Sequence, residues 1–161
     1  MADAAAIGEG ALTPERLRAA NIHPETGLAT DYLNHFNEVV MLLEMLPDMP
    51  EAAEDVLAWA PADYETHFER SGFAGRALAI SAWRAADPAI REGLEAVVAR
   101  LDAAVGEAQR LAGSGDAAAA SALAAGEIQP LIADASAVIH GRVPDAGSAA
   151  QSDVDALFDG A

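Results

Sequence analysis

Asp87-Pro88-Ala89-Ile90-Arg91-Glu92-Gly93-Leu94 opens the stretch that decides the fold, and Gly113-Ser114-Gly115-Asp116 closes it. An aspartate followed by proline is a strong helix start. The carboxylate accepts from a free N–H of the first turn, and proline has no N–H there to leave unpaired. From that start Ile90, Leu94, Val97, Val98, Leu101, Val105, Ala108 and Leu111 recur at helical spacing and predict one long helix with a continuous apolar stripe. Gly113 to Asp116 predicts a tight turn. Asp116 then caps a last long helix to about His140, kinked near Glu127 by Gly126 and Pro130. Two long helices joined by so short a turn predict an antiparallel hairpin. Its apolar stripes need further helices, so the predicted fold is all-α, a bundle of four or more helices over residues 13–140.

Upstream, residues 1–12 are small and Gly/Ala-rich, which predicts a disordered N-terminus. Thr13-Pro14 caps and starts a short helix, and Asn21 to Gly27 reads as a loop. Thr30-Asp31 starts a well-patterned helix to about Leu46, with Leu33, Phe36, Val39, Val40, Leu43 and Leu46 on its apolar side. Pro47 and Pro50 break it, and a further helix runs from about Glu51 to Trp59. Asp63 starts another through Arg70, Ser71-Gly72 forms a joint, and Phe73 to Ala86 reads as helix.

Composition supports helices and limits the partners. The chain of 161 residues is 52% hydrophobic, mostly alanine, and only 5% aromatic. Alanine has the best helix propensity and little preference for strands. There is no lysine, and nine arginines face 26 acids for a net charge of -17. That field repels nucleic-acid phosphates and anionic membranes, so neither is expected as a partner. The expected partner is a protein with a basic surface or an apolar groove. Cysteine is absent, which excludes disulfides and thiolate chemistry. The start lacks a signal-peptide pattern and no apolar run approaches about 20 residues. A cytoplasmic location is the expectation.

One local pattern occurs twice. Asp31-Tyr32-Leu33-Asn34-His35-Phe36 and Asp63-Tyr64-Glu65-Thr66-His67-Phe68 share D-Y-x-x-H-F, and they contain both tyrosines of the chain. On a helix the Tyr, His and Phe of each copy share a face. His35 and His67 are therefore candidate metal ligands, with Glu38, Glu65 or Glu69 adding carboxylates, a mixed set that suits zinc or non-haem iron. Di-iron bundles use Glu-x-x-His, whereas tyrosine holds the Glu position here. The bland alternative has each histidine bonding a backbone or acidic neighbour at a helix seam. Arg76, Arg84 and Arg91 read as partners for acids such as Glu92 and Glu95, with an anion-binding patch as the alternative. No serine has a nucleophile context such as G-x-S-x-G, so the sequence points away from an enzyme.

Gly141 to Ala150 reads as a flexible linker, and residues 151–161 as an acidic amphipathic tail. Ser152 and Asp155 fit a capping box, and Val154, Leu157 and Phe158 share one face of a helical turn. A helix this short folds only against a surface.

This tail resembles the N-terminal peptide of the flagellar motor-switch family, whose pattern runs roughly Leu-Ser-Gln-x-(Asp/Glu)-(Ile/Val)-Asp-x-Leu-(Leu/Phe). Gln151, Asp153, Val154, Asp155, Leu157 and Phe158 match it, while Ala149 and Ala150 replace its leucine and serine. The chemotaxis phosphatase family ends in a related acidic peptide after a linker. The resemblance implies binding to a basic receiver domain of a phosphorylated response regulator. The phosphatase motif Asp-x-x-x-Gln is missing: Val105, Ala125 and Gly147 stand four residues before Gln109, Gln129 and Gln151. The leading expectation is a small cytoplasmic adaptor of bacterial signalling type without a cofactor. The alternatives are a metal-binding helical protein using His35, Glu38, His67 and Glu69, and a structural homo-oligomer such as a homodimer.

Overall fold

The computed structural model describes residues 6–142, so the tail at 151–161 and all but the first two residues of the linker lie outside the described residues. Among the described residues the regular structure is helical, without a strand. The helices are α1 (Pro14–Ala19), α2 (Asn34–Met45), α3 (Ala53–Ala58), α4 (Tyr64–Arg70), α5 (Arg76–Ala85), α6 (Pro88–Gly113), α7 (Ala117–Leu123) and α8 (Gln129–Ile139).

Four starts follow the sequence signals. Thr13 accepts from the Arg16 N–H at 3.4 Å, Asp63 from Thr66 at 2.8 Å, Asp87 from Ala89 at 2.9 Å and Asp116 from Ala119 at 3.1 Å. Each bond satisfies a backbone donor that has no partner within its helix, worth about 1 kcal/mol. Both long segments end in the same way. Gly115 (φ +88°) and Gly141 (φ +80°) take the left-handed conformation, and the N–H groups of Asp116 and Arg142 return to Leu111 and Ala137 at 2.9 and 2.8 Å. Asn21 (φ +64°) ends α1 likewise.

α6 is the central element. Leu94, Val97, Leu101, Ala104, Val105, Ala108 and Ala112 are buried along it, and it packs against α2, α3, α7 and α8. A β-carbon on Gly93 would stand 3.8 Å from Val138 Cγ1, so α6 and α8 approach closely. The irregularity expected near Glu127 is a π-turn over Ala124–Ile128, in which the Gln129 N–H returns to the Ala124 carbonyl. Pro130 has no N–H to offer, and widening one turn accommodates it without ending the helix.

Four expectations need correction. Residues 6–12 are ordered: Gly10–Leu12 forms a 3-10 turn with Leu12 only 2% exposed. Ile7 lies on Gly27 (φ +77°), where any β-carbon would come within 2.5 Å of Ile7 Cδ1. Two scattered apolar residues thus anchor a segment whose small neighbours carry no periodicity. Secondly, Thr30–Leu33 is a 3-10 turn that leads into α2, because Asp31 bonds Asn34 Nδ2 and His67 and does not cap a helix. α5, thirdly, begins at Arg76 and not at Phe73, since Ser71 Oγ accepts from the Phe73 N–H at 3.2 Å and holds a turn there. Finally, the continuous helix Ala117–Ile139, 23 residues, is long and apolar enough by length and composition to cross a membrane. It carries Glu127 and Asp134, and Ala120, Ala124, Ile128, Leu131, Ala135, Val138 and Ile139 along it are buried within the fold.

Replacing Gly115 with Ala places a β-carbon in the left-handed region. We expect a loss of about 1 kcal/mol in urea unfolding. An unchanged midpoint would show that the turn relaxes without cost.

Candidate functional site

The repeated D-Y-x-x-H-F motif folds into a reciprocal clasp. Tyr32 OH donates to the Ala62 carbonyl at 2.8 Å, just before the second copy, and Tyr64 OH accepts from the Ala29 N–H at 2.8 Å, just before the first. The two rings lie 5.2 Å apart, and both residues are at most 2% exposed. Burial pushes both hydroxyls well above the ordinary tyrosine range, so they stay protonated and act as structural groups. Trp83 of α5 stacks on Tyr64 at 4.4 Å, and Phe36 and Phe68 complete an aromatic core.

The histidines sit on the rim of this core, 6.2 Å apart between ring centres. His67 Nε2 meets Asp31 Oδ2 at 3.1 Å, so the Asp of one copy holds the His of the other. His35 stacks on Trp59 at 4.6 Å, and Trp59 Nε1 donates to the His35 carbonyl at 2.9 Å. His35 Nε2 is buried without a hydrogen-bond partner. Burial, with the nearby charges of His67 and Arg70, holds this imidazole down at about 4 from an ordinary 6.5. Among the described residues no group of three or more His, Asp or Glu is arranged to hold a metal ion. His35 and His67 are neighbours, but Glu38 and Glu69 are exposed and do not complete a ligand set with them. Glu65 is engaged by Arg84, whose Nη2 and Nε donate at 2.7 and 3.2 Å; this pairing replaces the expected Glu92 or Glu95. Gln109 donates to the Val56 and Trp59 carbonyls at 2.9 and 2.7 Å and so closes the end of α3.

Beside the clasp, between α4 and α6, lies an open cleft of about 550 Å³. Tyr32, Tyr64, Trp83, Leu94 and Val98 form its aromatic and apolar wall, and Asp63, Glu69, Glu95 and Asp102 bring carboxylates to it. Asp102 Oδ1 is buried with no hydrogen-bond partner, and burial raises its carboxyl above the ordinary range. The carboxylates give the cleft a negative field. Sequence periodicity does not single out Asp102, although its signal is present: an acid four residues after Val98 and three before Val105, at the edge of the apolar stripe.

No protein-family model, no curated protein and no solved structure matches the chain. Expectations for Gln151, Asp153, Val154, Asp155, Leu157 and Phe158 fall outside the described residues.

His35 provides a pH test. Its folded-state value near 4 lies below the ordinary 6.5, so between these values the unfolded chain binds the extra proton. Stability is therefore lost as pH falls through that window and is unaffected by this group above it. Urea unfolding across the window should show a steeper loss in the native protein than in His35→Gln. Parallel curves, or a ring titrating by NMR near its ordinary value, would contradict the burial argument.

Proposed function

We propose that the chain is a small helical adaptor. In this reading residues 13–140, with the α6 to α8 pair as an antiparallel hairpin, carry an acidic recognition segment to a receiver-type domain of chemotaxis or two-component signalling. The observation that carries it is the coincidence of Gln151, Asp153, Val154, Asp155, Leu157 and Phe158 with a known receiver-binding pattern. The charge supports it: the aspartates suit a basic surface, and the three apolar residues suit a groove. α8 ends at Ile139, and Gly141 just beyond it takes the left-handed conformation.

The test is binding of a fluoroberyllate-activated receiver domain to the full chain, followed by fluorescence anisotropy. Combined Leu157→Ala and Phe158→Ala should weaken binding by about tenfold or more while helical content and unfolding midpoint stay put. Equal affinity, or a large loss of helix, would sink the reading. Sedimentation of the free protein addresses the homo-oligomer alternative.

The cleft favours a second activity of the same domain, binding of an organic cation. Asp102 is its specific support, because a carboxylate with one oxygen buried and unpartnered destabilises the fold wherever it stays charged. That cost is full at neutral pH and is released as acid protonates the group. Asp102→Asn should accordingly raise the unfolding midpoint at neutral pH, with the gain shrinking as pH falls, and should weaken spermidine binding in calorimetry. A variant that is less stable and binds spermidine equally would remove this reading.

A further inference from the structure

α2 buries Phe36, Val39, Val40 and Leu43 on one side and turns a row of methionines to solvent on the other. Met41, Met45 and Met49 are 60%, 40% and 42% exposed. They are spaced four residues apart, and the Met49 N–H bonds the Met45 carbonyl at 2.8 Å, which continues the row past the end of the helix. The chain has four methionines, so every one beyond Met1 stands here. The three, with Leu57, are also the large apolar side chains left exposed among the described residues. A single exposed apolar side chain is ordinary, but a row of three on one face is not. Together with Glu44 and Asp48 they line a groove of about 430 Å³. Glu44 is held in place by Gln129 Nε2 at 2.8 Å.

Methionine is flexible and polarisable, and it adapts to apolar side chains of varied shape. Charge decides the occupant. A second copy of this chain would bring another net charge of -17 to a groove edged by carboxylates. Residues 151–161 would bring Asp153, Asp155 and Asp159. Both are repelled. A segment with lysine or arginine flanking an apolar stripe complements both features at once. We propose that the Met41–Met45–Met49 groove is the docking site for a basic amphipathic helix of a partner protein. Its apolar residues seat among the three thioethers, and its cations meet Glu44 and Asp48. The proposal does not depend on residues 151–158.

The experiment uses the full chain labelled at its methionine methyls with carbon-13. It is titrated with a synthetic Leu/Lys amphipathic helix of about 18 residues and with the Leu/Glu counterpart, long enough to be helical on the surface. The internal methyl resonances should shift saturably with the Leu/Lys peptide and stay unmoved by Leu/Glu. Combined Met41→Gln, Met45→Gln and Met49→Gln should weaken binding by about tenfold or more with circular dichroism unchanged. Methyls that do not respond, or equal affinity in the triple variant, would overturn the proposal and leave only diffuse attraction to the net charge. Methyl shifts on dilution would assign the groove to a second copy. Shifts caused by Leu157→Ala plus Phe158→Ala would assign it to the chain's own tail. Either of these also overturns the proposal.

Discussion

A buried hydroxyl must find a partner or cost about 1–3 kcal/mol, and two tyrosines meet that demand across the structure. Tyr32 reaches Ala62 and Tyr64 reaches Ala29, so each ring fastens the segment that leads into the other copy of the motif. The Thr30–Leu33 turn that leads into α2 is thereby held to α4, whose first residue is Tyr64. Trp83 stacks on Tyr64 and brings in α5, while His67 closes the rim onto Asp31. A further buried polar contact acts in the same way: Thr26 Oγ1 donates to the Ile139 carbonyl at 2.7 Å and ties the early loop to the end of α8. In a chain so rich in alanine, whose packing specifies little shape, such polar contacts do much to select one arrangement of helices.

The places where stability is given up are as informative as those where it is gained. His35 has a buried nitrogen without a partner, and Asp102 has a buried oxygen in the same condition. They differ in setting. His35 is packed against Trp59 and escapes most of the cost by staying neutral. Asp102 lies on a cleft that Asp63, Glu69 and Glu95 also line, where under the cation-binding proposal a cation would relieve it. The histidine can stay neutral at neutral pH, whereas the aspartate there carries the cost of its charge.

Under the adaptor reading, the acidity of the chain has a common use. Cleft, methionine groove and tail segment all combine carboxylates with apolar or aromatic surface, and each suits a cationic counterpart. A chain without lysine and with its few arginines dispersed does not satisfy such surfaces from within. Arg84 and Arg110 are engaged locally, by Glu65 and Glu107. Electrostatic attraction then favours encounter with basic partners, and apolar anchors choose among them.

Much of the helical framework was legible along the chain because its causes are local. Asp87-Pro88, Thr13, Asp63 and Asp116 start helices through bonds to residues two or three positions away. The 3.6-residue period places Leu94, Leu101 and Val105 on a buried face whatever they pack against. Where tertiary contact overrode local preference, the sequence reading missed: Leu12 and Ile7 are ordered by distant surfaces, and Asp31 is drawn to His67 instead of capping a helix. The duplicated motif was visible as a pattern but not as a clasp, since hydrogen bonds across 35 and 30 residues leave no mark in spacing. Periodicity likewise identified the buried side of α2 without revealing that the opposite side exposes methionines in a groove. The sequence by itself determined where helices begin, end and turn an apolar face, because those choices depend on neighbours within a turn. The tertiary structure alone decided which helices meet, which histidine is paired and where a carboxylate is left without a partner, because these depend on groups brought together only by folding.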